Sequence, residues 1–242
     1  MKCYCFILLV TASLTCAAGG TFSNDDWGER FNTAGTKLVI KEARRSRIEG
    51  RTIVVYELFA SGFPLNLKYS LWMRLVESSP QLAADALLNS DGRVVSRVAD
   101  LAHGVAEDPI NLKVFAGRGE PKELALISTD GKFRAFGQVI PFPLDSFNKG
   151  CHLSAVMTGA NYRGVYIDTT GFLPAENLLV EARSDIQDIQ KQDKATDQGT
   201  YEAALLPFIK GRRSGRLQFK IVAKSCEVAV EIPWGEGSYQ VQ

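Results

Sequence analysis

Two stretches of this chain follow one plan, and that recurrence restricts the fold more than any other feature. Val165-Tyr-Ile-Asp-Thr-Thr-Gly-Phe-Leu-Pro174, continuing through Asn177-Leu-Leu-Val-Glu-Ala-Arg183, reads as a strand, a Gly-Phe-Leu-Pro turn and a second strand. Val54-Val-Tyr-Glu-Leu-Phe-Ala-Ser-Gly-Phe-Pro64, continuing to Lys68-Tyr-Ser-Leu-Trp-Met-Arg74, repeats it as a second hairpin-like unit. β-branched and aromatic residues dominate both, and glycine with proline marks both turns. A plan used twice predicts two β-rich modules, and 242 residues suffice for two domains of ordinary size.

The first 18 residues belong to neither module. Lys2 is followed by the apolar run Phe6–Leu14 and then by the small residues of Thr15–Gly20. A positive start, a short apolar core and a small-residue cleavage region form a signal-peptide pattern, and the run is too short to span a bilayer. No later apolar run escapes interruption by Lys or Arg, so no stable membrane span is expected. A lipid anchor at Cys16 is the competing reading, but Ser13-Leu-Thr-Cys16 departs from the usual lipoprotein pattern. Removal of residues 1–18 takes away Cys3, Cys5 and Cys16 and leaves Cys151 with Cys226. An even pair in an exported chain reads as a disulfide, worth roughly 4–5 kcal/mol in the chain-entropy treatment of so long a loop. The setting expected is therefore extracytoplasmic, periplasmic or secreted.

Residues 19–35 read as a flexible arm that pins one large aromatic, Trp27 or Phe31. Residues 36–147 form the expected first β-sandwich domain. Its strands are Lys37–Ile40, Thr52–Phe59, Lys68–Arg74, Arg93–Val98, Asn111–Phe115, Lys122–Ser128 and Lys132–Ile140. Thr129-Asp-Gly131 supplies a hairpin turn. Lys41–Arg51 reads as a basic loop, and Pro80–Leu88, with proline in a first turn, as a short helix. The proline-bearing stretch Pro141–Gly150 marks the domain boundary. Residues 148–235 form the second sandwich, with strands Cys151–Met157, Gly164–Thr170, Asn177–Arg183, Thr200–Leu206, Arg216–Ala223 and Cys226–Ile232. Asp185–Gly199 reads as a long exposed loop or frayed helix, and residues 236–242 as a tail.

Gly171-Phe-Leu-Pro-Ala-Glu-Asn-Leu-Leu-Val180 resembles the Gly-Phe-x-Pro-Gly-Glu stretch of bacterial immunoglobulin-like repeat domains. Asp197-Gln-Gly-Thr-Tyr201 resembles the Asp-x-Gly-x-Phe/Tyr segment that opens a later strand in those repeats. Gly62–Leu71 and Ser90–Val94 are similar at lower fidelity, and Ala175, Asn66 and Leu67 depart from the pattern. The resemblance covers about half of the chain. It implies two tandem immunoglobulin-like β-sandwich domains in an exported protein, and it brings no catalytic residue with it.

The chemistry-bearing residues are few. His103 and His152 are the only histidines and stand in no metal-ligand spacing. The chain has no P-loop, dinucleotide fingerprint or Gly-x-Ser-x-Gly elbow, so neither a cofactor nor a metal is expected. Without Lys2 the basic and acidic residues balance, which gives no reason to expect nucleic acid. The candidate binding surface comprises the basic residues Arg44, Arg45, Arg47, Arg212 and Arg213 with Trp72, which alternates away from Tyr69, Leu71 and Met73. The function expected is an exported, non-enzymatic binding or assembly module, its partner a protein, peptide or glycan. The alternatives are a periplasmic chaperone that uses an exposed edge strand and a hydrolase with a scattered site. Cleavage is expected after Ala18, so N-terminal sequencing of exported protein should begin at Gly19.

Overall fold

The structure, a computed structural model, describes residues 27–48, 51–100, 104–159, 163–184, 188–207 and 211–235. The expected signal peptide with Cys16, residues 19–26 of the arm, His103 and residues 236–242 lie outside them. The described residues form an all-β chain of layered antiparallel sheets, with one 3₁₀ turn at Glu29–Phe31 and no α-helix.

The strands preceding the proline-bearing stretch are β1 (Lys37–Ile48), β2 (Arg51–Ser61), β3 (Tyr69–Arg74), β4 (Gln81–Leu88), β5 (Val94–Asp100), β6 (Gly104–Pro109), β7 (Asn111–Val114), β8 (Lys122–Ser128) and β9 (Arg134–Val139). They make a three-stranded sheet, β1-β2-β7, and a six-stranded sheet, β6-β5-β4-β3-β8-β9. Leu38, Leu58 and Ala60 from the first sheet meet Tyr69, Leu71, Leu124 and Leu126 from the second in one core. The remaining strands are β10 (Leu144–Asn148), β11 (Cys151–Met157), β12 (Val165–Thr170), β13 (Asn177–Arg183), β14 (Asp188–Lys194), β15 (Tyr201–Leu205), β16 (Ser214–Ala223) and β17 (Glu227–Gly235). They form two four-stranded sheets, β10-β11-β12-β15 and β14-β13-β16-β17. Leu153, Met157, Val165 and Ile167 of one face Leu178, Phe219, Ile221 and Ile232 of the other. This face-to-face burial of alternate residues makes a sandwich.

The recurring strand–turn–strand stretches are sheet-crossing corners and not hairpins. β2 and β3 lie in opposite sheets, as do β12 and β13. At both corners the glycine has positive φ, +77° at Gly62 and +92° at Gly171. A Cβ on Gly62 would lie 2.0 Å from the Gly35 carbonyl oxygen, and one on Gly171 would lie 2.2 Å from that of Gly150. The corners are therefore clamped against equivalent turns, the one that precedes β1 in the first sandwich and the one that precedes β11 in the second. The next residue, Phe63 or Phe172, drops into the core. The shared wiring goes further. β1-β2-β7 and β4-β3-β8-β9 correspond to β11-β12-β15 and β14-β13-β16-β17, with β5 and β6 added to the first set and β10 to the second.

Cys151 and Cys226 form the expected disulfide, Cα to Cα 6.3 Å, between the start of β11 and the turn before β17. It joins the two sheets of the second sandwich. The first sandwich contacts the second through a tight loop. Gly119 donates to the Phe142 carbonyl (2.7 Å), and its own carbonyl accepts from the Met157 amide (2.9 Å). Beside it, buried Lys122 pairs with Glu120, which also accepts from the Gly117 amide.

Several local expectations are corrected. Pro80–Leu88 is not a helix, because Gln81–Leu88 extends as β4, with Ala86 and Leu88 buried at period two beside β3. The helix preference of Ala and Leu amounts to a few tenths of a kcal/mol per residue, and tertiary pairing overrides it. Lys41–Arg51 is not a loop, since β1 continues to Ile48 opposite β2. The loop or frayed helix at Asp185–Gly199 contains β14, an edge strand paired with β13. Leu144–Asn148, within the proline-bearing stretch, extends as β10 and pairs with β11 through the two-residue turn Lys149–Gly150. Positive φ at both Lys149 and Gly150 suits that turn to a hairpin. In Thr129-Asp-Gly131 only the glycine takes positive φ, while Asp130 accepts from the Ser128 hydroxyl and the Lys132 amide. The described part of the arm is tied down. Trp27 is buried against Phe136, and Thr33 and Asn32 hydrogen-bond to β9.

Two glutamate and glycine positions test this account. The Glu176 carboxylate accepts from the Ser225 hydroxyl and amide and from the Leu173 amide, and these bonds hold it below the ordinary carboxyl range. A depressed folded pKa stabilises above the unfolded value, and the gain is lost as pH falls through the folded pKa. Glu176→Gln should lower the melting temperature at neutral pH, and the gap from the native chain should narrow in paired thermal melts as the pH is lowered below the ordinary carboxyl range. Gly215 faces Trp234 across β16 and β17, where a Cβ would come within 2.4 Å of the indole. Gly215→Ala should cost about 1–3 kcal/mol in denaturant unfolding, the usual range for overpacking.

Candidate binding surfaces

The distal half of β1 is the most exposed strand segment of the first sandwich. Every residue from Lys41 to Ile48 is exposed, and among the described residues β2 is the only strand that pairs with β1. A register shift between Glu42 and Arg44 inserts one extra residue, Ala43. Such a bulge reverses the alternation of side chains. Glu42 and Arg45 therefore share a face, opposite Tyr56 and Val54, although three positions apart would otherwise separate them. Arg45 donates two hydrogen bonds to Glu42 (3.1 and 2.9 Å) and one to the Pro141 carbonyl (2.9 Å), and its guanidinium lies 5.0 Å above the Phe142 ring. These bonds hold Glu42 below and Arg45 above their ordinary pKa values. Arg45 is thus fixed by its neighbours. Arg44 projects from the opposite face, opposite Val55, and Arg47 from the Arg45 face, opposite Thr52. Among the described residues neither Arg44 nor Arg47 has a partner, so two free cations flank the unpaired edge from its two sides.

The other candidates are placed apart from this edge. Trp72 is half-buried and packs in a layer of Trp27, Ala125, Ile127 and Phe136 on the outer face of the six-stranded sheet. Its alternation away from Tyr69 and Leu71 was legible, but the arm covers the face it reaches. The neighbouring Arg74 pairs with Glu123 and lies over Trp27. Arg212 and Arg213 occupy the turn before β16 in the second sandwich. Both are exposed, and no described contact joins them to β1.

His152 lies on the outer face of the β10-β11-β12-β15 sheet. Its ring stacks on Phe147 with centroids 4.1 Å apart, and Nε2 is 3.4 Å from Asp145 Oδ1. Further across that face the Tyr166 hydroxyl bonds to Glu202, which pushes the phenol up to about 12. This is an open sheet face and not an enclosed pocket. Among the described residues no cluster of three or more His, Cys, Asp or Glu could hold a metal ion. Nor is any described helix long and apolar enough to cross a membrane.

Sequence reasoning also missed a cleft of about 360 Å³ where β5 leaves β4. Only strand pairing could reveal it, because the sequence reads as a short helix at Pro80–Leu88 followed by an ordinary strand at Arg93–Val98. No family model matches the chain, and no curated protein matches it by sequence.

Proposed function

We propose that this chain is an exported pair of immunoglobulin-like modules that binds or assembles with a partner through its surfaces and performs no catalysis. The single observation that carries this reading is the edge of β1. It is fully exposed from Lys41 to Ile48, has no strand on its outer side, and is flanked by the uncommitted Arg44 and Arg47. An unpaired edge offers a partner main-chain hydrogen bonds, and flanking charges select which partner approaches. The partner class supported is a protein or peptide carrying anionic groups. The disulfide is compatible with an extracytoplasmic setting, since such bonds persist in oxidising compartments. The matched wiring of the two sandwiches supports the tandem immunoglobulin-like assignment.

The two competing readings draw less support. A strand-donating chaperone needs alternate apolar groups along its edge, whereas the exposed half of β1 carries charged side chains with Ala43 and Ile48 alone as apolar residues. A hydrolase site built on His152 and a carboxylate calls for a cleft, whereas His152 and Asp145 share an open sheet face beside Phe147.

The test is capture from an extracytoplasmic extract by the oxidised, mature chain, compared with the Arg44→Glu/Arg47→Glu variant and read by mass spectrometry. A partner held by the native chain should be released by salt. Its affinity for the variant should fall by about tenfold or more, since exposed ion pairs are worth up to about 1 kcal/mol each and reversal adds repulsion. A partner retained equally by both chains would remove β1 from the proposed contact.

A further inference from the structure

The six-stranded sheet of the first sandwich is continuous in order but not in pairing. β4 and β5 are joined by only two register pairs, Leu87 with Val95 and Leu88 with Val94. Beyond Val95, β5 pairs with β6 alone, from Ser96 with Asp108 to Asp100 with Gly104. β4 over Gln81–Ala86 pairs with β3 alone. Two strand edges therefore open from a common vertex, and the cleft of about 360 Å³ lies between them. Its walls include Lys68, Tyr69, Asp85, Ser96, Arg97 and Thr129.

The departure of β5 has a local cause. The chain enters β5 beside the other sheet, where Arg93 bridges to Phe59 and the Ala60 amide donates to the Gly92 carbonyl. The Arg93 guanidinium pairs with Glu57 and lies near the Phe59 ring. β5 thus begins at a corner shared by both sheets and touches β4 only briefly before turning away with β6.

We propose that this slot receives a short extended peptide segment with an acidic side chain at its centre. A strand placed there meets a backbone edge on each side. Because β4 and β5 run antiparallel, the inserted segment is antiparallel to one wall and parallel to the other. The volume lies at the low end of the range for ligand sites, about 300–1,000 Å³, which suits a few residues and not a domain. The charges select the sign. Lys68 and Arg97 line the slot against the single acid Asp85, so an acidic ligand side chain leaves the lining balanced. This site is separate from the β1 edge, and the proposal does not require the contact proposed there.

The probe is fluorescently labelled, end-blocked Thr-Val-Glu-Val-Thr, with matched peptides carrying Gln or Lys in place of Glu, read by fluorescence anisotropy on the oxidised mature chain. Saturable binding is expected in the order Glu, Gln, Lys, with about tenfold or more between the first and last. Hydrogen exchange should slow at 84–86 and 96–98 on binding. Ala84→Cys and Val98→Cys continue the Leu87–Val95 register, so an engineered disulfide between them closes the slot. The closed double variant should lose binding at least tenfold, while either single variant and Arg44→Glu/Arg47→Glu keep it. Binding that survives closure overturns the proposal, as does absence of saturable binding by all three peptides or protection elsewhere than on β4 and β5. Loss of binding in the β1 variant moves the peptide to that edge and also overturns the slot.

Discussion

The close approach of backbone to backbone at two glycines is the constraint on which the architecture rests. A strand that must leave one sheet and enter another has to reverse within a few residues. At Gly62 and Gly171 it does so pressed against the carbonyl oxygen of an earlier turn, closer than any Cβ allows. Positive φ and the missing side chain are both required. The aromatic that follows then fixes the depth of the crossing by burying itself between the sheets. In the second sandwich a further glycine locks the corner. Phe172 donates to the carbonyl of Gly199, and a Cβ on Gly199 would come within 2.2 Å of the Phe172 oxygen. The two resemblance-bearing stretches, Gly171–Val180 and Asp197–Tyr201, are thus the two sides of one contact.

The disulfide acts on the same geometry from the opposite direction. Cys151 follows Gly150, the residue against which the Gly171 corner is clamped, and the Cys151 disulfide sulfur lies 3.3 Å from the Gly171 carbonyl oxygen. The covalent bridge is therefore anchored at the corner and extends across the core to Cys226 in the other sheet. Glu176 fastens the next turn in the same region, between Leu173 and Ser225. The first sandwich has no disulfide at its corner. Tyr69 takes a comparable place by donating its hydroxyl to the Pro64 carbonyl while its ring packs edge-on against Phe63.

These features explain which parts of the fold were legible. Strands buried on one face kept their period of two, so β11 and β13 were readable to the residue from Cys151–Met157 and Asn177–Arg183. Edge strands lose that signal because both faces meet water. Asp188–Lys194 and the basic half of β1 are charged or polar on either side, and composition alone makes them look like loops. Gln81–Leu88 misled for another reason, since only its last buried pair, Ala86 and Leu88, reports the sheet. At the candidate surface the basic residues of β1 were visible as a cluster. That Arg45 is committed and Arg44 and Arg47 are not depends on the Ala43 bulge and on Pro141 and Phe142, almost a hundred residues away. The Trp72 ring was read correctly as pointing away from the core, but nothing in its strand announces that Trp27 arrives to cover it.

The two sandwiches differ less in plan than in what they leave unpaired. In the second, β14 presents Asp188, Lys191, Asp193 and Lys194 along its edge, with Arg183 and Glu181 engaging it from β13. Mixed charge of this kind discourages another strand from adding. β17 is screened by β10, whose Asn148 side chain donates to the Glu227 carbonyl and whose Ser146 accepts from the Ala229 amide. The first sandwich blunts its edges less. The half of β1 that lies against β9 is covered, but the half beyond it carries four cations against the single acid Glu42 and, among the described residues, pairs with no second strand, and β4 and β5 stand open to each other. A net positive edge repels a second copy of the same strand more than it repels an acidic one, so the charge on this edge disfavours self-pairing.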